Sequence, residues 1–506
     1  TTPGVIGTTT IGNTNTDSIS FGGTLYSFNG TTTITSETGS NINVAATAEF
    51  ETAGDTLTFA TGTINLADDA NLTVNSDGGA ITIAAIAGDS AETVTINAND
   101  VAGTGVTTET VRLGDVGDSG HAQIHNVTVT GDGGITLTGA IYTASAGDGT
   151  GADVVFNDAV IIDGDVIVDT DDSADDGLIT FTTSINAQTT GTPATSQTLT
   201  LQGGAGTITL QPIGGTAAID ALTINTQNTA TATLSVGNIG AGTVDAADNG
   251  TNFAGVTGAT TIGNTNSGAI TFSGTIYKTD GAFDITSKAG TDTTDKEIIF
   301  GGASPFISTS GDQVTLNGGE VEIQNGTLTI NTNRNNGGDN GGAITIAKTV
   351  YGASDESLVL DAHSSGTGTI SLGPIGASTS EIAGITATAN GGITLNGNII
   401  TSDAGTGITF NSGVIIADNS SISITTNSGD ADVTFGSSIS GVGDTDARLA
   451  TAENLTIDSG KGNVSIASVG ATTATALNNL TVNSGTGTGD AADMDGDITI
   501  SGNIGA

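Results

Sequence analysis

The chain has 506 residues and sets 53 acidic side chains against eight basic ones, a formal net charge of −45 at pH 7. That excess repels nucleic acid and anionic membrane surfaces alike and excludes both as partners. No cysteine is present, so neither a disulfide framework nor thiol chemistry is available, and no run of 18 apolar residues offers a membrane-inserting segment. With 78 glycines and only 3% aromatic residues, disorder is the first alternative to weigh. A dense alternation of apolar and hydroxyl side chains speaks against it.

The alternation is carried by one phrase, met first at Ile19 to Tyr26 (ISFGGTLY) and again at Ile135 to Tyr142 (ITLTGAIY), Ile270 to Tyr277 (ITFSGTIY) and Ile344 to Tyr351 (ITIAKTVY). These four copies hold all four tyrosines of the chain. Shorter copies include Leu57-Thr58-Phe59, Ile179-Thr180-Phe181 and Ile408-Thr409-Phe410, and full and shorter copies together place eight of the thirteen phenylalanines at the third position. The period is two, so each phrase predicts strand, with apolar side chains on one face and Thr or Ser on the other. Gly23, Gly139 and Gly274 interrupt it as a corner between two short strands requires. A second phrase ends in Asn, at Leu72 to Asn75, Val94 to Asn97, Leu222 to Asn225, Leu328 to Asn331 and Leu480 to Asn483. Asn suits a turn because its side chain hydrogen-bonds the backbone ahead of it.

The phrases belong to a longer repeat. Gly4 to Ser36 aligns without a gap to Gly255 to Ser287, and later landmarks follow in the same order. The chain therefore reads as two tandem modules of roughly 250 residues, 1–251 and 252–506. It starts mid-pattern and without Met, as a section of a longer array would. Helical periodicity is nearly absent. A β-sandwich is disfavoured because there is no Trp and little Tyr, and a propeller because the spacing of the phrases drifts. The expected fold is all-β, a parallel β-helix or solenoid of stacked coils of about 22 residues, each contributing two or three short strands.

In this Gly-, Thr-, Asn- and Asp-rich strand repeat the chain resembles the long secreted β-helix proteins of bacteria: filamentous-haemagglutinin-like exoproteins, autotransporter passengers and giant β-strand-repeat surface adhesins. The resemblance is one of style over the whole chain, and no secretion-domain signature accompanies it. It implies a right-handed coil, export, and an extracellular or cell-surface location. It carries no catalytic residue to any position of this sequence.

Chemistry-bearing clusters are few. The basic residues are Arg112, Lys278, Lys288, Lys296, Arg334, Lys348, Arg448 and Lys461, seven of them in the second module, and no cleft-forming set is evident. Paired acids such as Asp163 and Asp165 are too plentiful to mark a glycosidase. The chain is therefore not expected to be an enzyme, and no cofactor is required. His121 and His125, near Asp115 and Asp118, read as part of a surface loop. Carboxylates crowd two glycine-containing turns, one with Asp169, Asp171, Asp172, Asp175 and Asp176, the other with Asp490, Asp493, Asp495 and Asp497. Calcium takes several such oxygens at once and is the candidate ligand there, although neither turn has the spacing of an EF-hand or a calcium roll. The tyrosines Tyr26, Tyr142, Tyr277 and Tyr351 are read as outward-facing, with packing preferred over contact with a sugar or partner.

The expected function is structural: a stalk of an adhesin-like surface protein, serving cell–cell or surface attachment. The alternative is a self-assembling extracellular fibre or sheath subunit, and a remoter one is a polysaccharide-binding or -degrading β-helix. Expected partners are further modules of the same chain or identical chains, with cell-surface glycans or proteins as candidates.

Overall fold

A computed structural model describes residues 3–89, 91–99, 109–119, 123–145, 151–171, 176–227, 233–242, 254–289, 296–334, 341–352, 355–363, 366–402, 406–426, 431–442, 453–470, 476–485 and 496–505, with Lys296 described in its backbone only. Among these residues there are 49 strands and no helix. Each strand pairs in parallel with the strand one coil further along the chain, as when Leu72 lies opposite Val94 and Val94 opposite Val127. The fold is the parallel β-helix that the alternation predicts.

One turn of the helix shows the construction. Leu72–Asn75 forms the first side. The next strand, Ile81–Ala87, forms the other two, because its front half pairs with Leu57–Thr61 and its rear half with Thr63–Leu66. Thr93–Asn97 then returns onto Leu72–Asn75. Three ladders thus run along the helix, each built by parallel hydrogen bonding between consecutive coils.

Alternation fixes which side chains enter. Leu72 and Val74 are enclosed while Thr73 and Asn75 are only half-buried. Because register is kept from coil to coil, inward residues stack in columns: Val74, Ile96, Val129, Phe156 and Phe181 follow one another in the first ladder and are fully buried. Each such side chain contributes about 1.5–3 kcal/mol through removal from water. The eight phenylalanines at the third phrase position are all interior, and ring pairs occur in both halves, with Phe156 tilted against Phe181 at 4.8 Å and Phe272 stacked on Phe300 at 5.0 Å.

The chain divides into two compact units. The first comprises 1–237, 255–257 and 262–268, the second 238–254, 258–261 and 269–506. In the first unit, the first ladder runs from Val5–Ile6 to Leu234–Val236. In the second unit one ladder runs through Ile270–Phe272, Lys296–Phe300, Glu320–Ile323 and Val350–Tyr351 and continues by single bridges at Ile375 to Ile399–Thr401.

The tyrosine phrases are corners, as Gly23, Gly139 and Gly274 suggested, but not all the same corner. In the first unit, Ile19 to Tyr26 leads from the third ladder into the first, whereas Ile135 to Tyr142 leads from the second into the third. In the second unit, Ile270 to Tyr277 starts on the ladder where Ile344 to Tyr351 ends. The three sides of a coil make the same demand, two inward apolar residues, a bend and another apolar residue, so one phrase serves any of them.

Coil length departs from the regular value of about 22. Leu72 and Val94 are 22 residues apart, but Val94 and Val127 are 33 and Val127 and Val154 are 27. The extra residues lie at corners. Buried hydroxyls at strand ends keep those corners shut by donating to the carbonyl where the loop returns. Thr52 reaches the Asp55 carbonyl at 2.6 Å, Thr143 that of Ala152 at 2.7 Å, and Thr332 that of Gly342 at 2.8 Å. The bond closes loops spanning 3 to 10 residues in the same way, so the wall tolerates insertions.

Candidate functional site

Many of the acidic and amide side chains among the described residues sit at corners, and there the coil presents a specific problem. Where the backbone bends out of a ladder, an amide loses its carbonyl partner on the next coil and must find another acceptor. Asx side chains supply it. Asn71 Oδ1 accepts the Thr93 N–H at 2.7 Å, Asn126 Oδ1 that of Asp153 at 2.8 Å, and Asp153 Oδ1 in turn that of Leu178 at 2.8 Å. The second unit repeats the chain of bonds, from Asp432 to the Asn463 N–H at 2.7 Å and from Asn463 to the Asp497 N–H at 2.9 Å. Each such bond joins one coil to the next. A carboxylate acceptor makes it charge-assisted and roughly twice as strong as a neutral one.

The Asp169 turn is built from the same parts. Asp169 ends the strand Val166–Asp169, and its Oδ1 accepts the Asp171 N–H at 3.0 Å, the turn that Asn75, Asn97 and Asn331 also make two residues ahead of themselves. Its Oδ2 accepts from Gln202 Nε2 at 3.2 Å, Asp171 Oδ2 accepts from Gln227 Nε2 at 2.7 Å, and Asp176 Oδ2 accepts the Ala205 N–H at 2.6 Å. Burial raises the Asp169 pKa above its ordinary value, and the charges of Asp171 and Asp176 add to the rise. Thr170 closes the corner on the Gly177 carbonyl at 2.9 Å. At Gly177 a Cβ would stand 2.0 Å from the Ala152 carbonyl oxygen, so only glycine fits the close approach of coils there. Of the other residues considered as calcium ligands, Asp172, Asp175, Asp490, Asp493 and Asp495 lie outside the described residues, and Asp497 is exposed.

Asp163 and Asp165 show the same engagement. Asp163 pairs with Arg112 at 2.9 Å and accepts the Ala194 N–H at 3.0 Å. Asp165 accepts from the Ser196 and Thr198 hydroxyls, at 2.7 and 2.9 Å, which lower its pKa.

His121 and Arg448 lie outside the described residues. His125 is not a surface-loop residue: it is buried, and its backbone N–H donates to the Glu92 carbonyl at 2.8 Å, tying two coils together. Asp115, expected beside it, accepts the Ala140 N–H at 2.9 Å. The basic residues disperse. In the second unit Arg334 is buried and pairs with Asp280, Lys278 is fully enclosed with Nζ 3.4 Å from the Ala241 carbonyl, and Lys288 and Lys348 are exposed.

Two tyrosines correct the outward reading. Tyr277 is fully buried, with its hydroxyl donating to the Gly274 carbonyl at 2.9 Å, and burial pushes its pKa far above the ordinary phenol value. Tyr351 is 4% exposed and donates to Glu320 at 3.1 Å. Tyr26 and Tyr142 are half-buried, and Tyr26 stacks on Phe50 with ring centroids 4.7 Å apart. Their position in the phrase falls just after the bend, where an inward ring fills the corner.

A group missed in the sequence is the set of buried corner glutamates. Glu92, Glu109, Glu297, Glu356 and Glu453 are all at least nine-tenths buried; Glu297 lies in the strand Lys296–Phe300 and each of the others one or two residues before a run of alternating strand residues. Glu92 Oε2 accepts the Asp89 and Ala91 N–H groups at 2.9 and 3.2 Å, and Glu297 Oε2 accepts that of Glu320 at 3.0 Å. For four of them, all but Glu297, the signal was present as Glu followed by Thr, Ser or Asn and then an apolar alternation, as in Glu92-Thr93-Val94-Thr95-Ile96 and Glu453-Asn454-Leu455-Thr456-Ile457. No family model, curated protein or solved structure matches the chain.

Proposed function

We propose that this chain is a structural element of a secreted surface protein, the stalk of an adhesin-like molecule that carries attachment between cells or to a surface. What supports the reading is the use of the polar side chains. Asp and Asn carboxyls and amides accept the backbone N–H groups of the following coil, as in the series Asn126, Asp153 and Leu178. Ser and Thr hydroxyls close the corners, and the basic residues disperse or pair with single acids. Side chains that an enzyme would aim at a substrate are aimed here at the neighbouring coil. A stalk needs that, because it must transmit force from coil to coil without opening a ladder. The extracellular location belongs to the same proposal and rests on the resemblance to exported β-helix proteins, with a surface glycan or protein as the ultimate partner of the attachment.

Negative-stain electron microscopy of the purified chain, with and without millimolar calcium, tests it. Separate, unbranched particles in both conditions are expected. Filaments longer than one chain would replace the stalk with self-assembly of identical chains. Breakdown of a polysaccharide by the purified chain would overturn both.

A further inference from the structure

The corner that leads from the third ladder into the first recurs in consecutive coils of the first unit. Asp68 lies on the corner after Thr63–Leu66, and Asp89 and Glu92 lie on the next, after Ile81–Ala87. Ile64 pairs with Ile86 and Leu72 with Val94, so the two corners are held one above the other from both sides. One oxygen from each of Asp68, Asp89 and Glu92 lies within 4.8 Å of the other two. Asp68 and Asp89 face solvent, whereas Glu92 is fully enclosed.

The decisive observation is at Glu92. Its Oε2 receives the Asp89 and Ala91 N–H groups, but Oε1 is buried and receives no hydrogen bond. A buried carboxylate oxygen with no donor costs roughly 1–3 kcal/mol or more, and the side chain shares its corner with two further carboxylates. Burial, and next to it the contact with Asp89, raise the Glu92 pKa. The arrangement lacks a positive charge.

We propose that Asp68, Asp89 and Glu92 form a binding site for a hard divalent cation of the calcium class, which clamps two consecutive coils at this corner. Calcium takes oxygens at about 2.3–2.6 Å, so oxygens no more than about 4.8 Å apart reach a single ion. Magnesium bonds at about 2.0–2.1 Å and demands octahedral regularity, which a mixed set of one fixed and two exposed carboxylates satisfies less well. Water completes the shell on the solvent side, where Asp68 and Asp89 are open. The site is distinct from the Asp169 turn, and it stands whether or not the chain is a stalk.

The test is calcium titration of the full chain by calorimetry, in physiological salt so that diffuse association with the −45 charge is screened. Wild type is expected to show a saturable site and a rise in thermal midpoint on addition of calcium. Glu92→Gln, isosteric and uncharged, is expected to weaken that site about tenfold or more, a change of about 1.4 kcal/mol or more, and the exposed pair Asp68→Asn with Asp89→Asn to remove it. Glu453→Gln removes a buried corner carboxylate whose Oε2 also lacks a donor but which belongs to no such three-carboxylate group among the described residues, and it is expected to bind calcium as wild type does. A saturable site that survives both Glu92→Gln and the Asp68/Asp89 pair, or no saturable site in wild type, overturns the proposal.

Discussion

Two acidic corners of the first unit look alike in sequence and differ in kind. At Asp169, Asp171 and Asp176 every carboxylate has a donor: a backbone N–H of its own turn, a Gln side chain, or a backbone N–H of the next coil. At Asp68, Asp89 and Glu92 the carboxylates face one another, and Glu92 Oε1 has no donor. The density of acids is higher at the first corner, yet it is the second that leaves a buried carboxylate oxygen without a donor. Satisfaction of the oxygens, not their number, separates an acid that joins coils from an acid that awaits a ligand.

The comparison breaks hardest at the glycines. Gly177→Val would drive a side chain into backbone, with its Cβ 2.0 Å from the Ala152 carbonyl oxygen and 2.3 Å from the carbonyl carbon. Backbone held on both sides cannot yield, and a loss of about 3 kcal/mol or more is expected. Hydrogen exchange should show Val154–Phe156 and Ile179–Phe181 opening together. Gly88→Ala at the other corner meets only side-chain ends, Glu92 Oε2 at 2.4 Å and Ile124 Cδ1 at 2.7 Å. Those can shift, so a cost of about 1 kcal/mol is expected, together with loss of the calcium response as Glu92 is displaced. Equal damage at both corners would mean that coil spacing is looser at Gly177 than the ladders imply.

Next in size is the hydroxyl that shuts the Asp169 turn. Thr170→Val keeps the shape and removes the donor to the buried Gly177 carbonyl, at a cost of about 1–3 kcal/mol, while Thr170→Ser should keep most of the stability. Asp176→Ala leaves the Ala205 N–H without its acceptor and should cost about 1 kcal/mol, with Asp176→Asn, a neutral acceptor, costing roughly half as much. Chemical denaturation followed by local exchange reads both. If Asp176→Asn were as damaging as Asp176→Ala, the carboxylate would be serving as a charge and not as an acceptor.

These contrasts mark what the sequence could and could not reveal. The ladders were legible because a period of two, Thr between apolar residues, and phenylalanine at a fixed place in the phrase constrain which face is buried; all eight such phenylalanines are inside. The corners at Gly23, Gly139 and Gly274 were legible for the same reason. Which side of the coil a phrase occupies was not, because all three sides ask for the same residues. The outward reading of Tyr277 and Tyr351 failed on that point: a residue after a bend has no parity of its own until the bend is known. The roles of the acids were hidden more deeply. Asp153 bonds an amide 25 residues on and Asp176 one 29 residues on, and those separations depend on loop lengths that no local pattern sets. Glu92 was overlooked because a single Glu among Thr and Val looks like a solvated strand end.

The smallest effect is also the one whose sign is most telling. Asp165 and Asp169 stand on one short stretch with opposite shifts: two hydroxyls hold the Asp165 pKa below 3.8, and burial lifts that of Asp169 above it. The Asp165 contribution is present above its unfolded pKa and is lost as pH falls through its lowered folded value. For Asp169 the folded state favours the protonated form, so its contribution is full below 3.8 and is lost as pH rises through the raised value. Asp169→Asn should therefore match wild type in strong acid and become the more stable chain towards neutrality, since an amide there loses no proton and its Oδ1 can still accept the Asp171 N–H. Asp165→Asn should also match in strong acid and become the less stable one. Thermal midpoints measured across that range settle it. Two profiles diverging in opposite directions would confirm that acids four residues apart are tuned by their immediate surroundings, hydroxyl donors at Asp165 and burial at Asp169. Profiles diverging in the same direction would make net charge, and not the local surroundings of each acid, the controlling quantity.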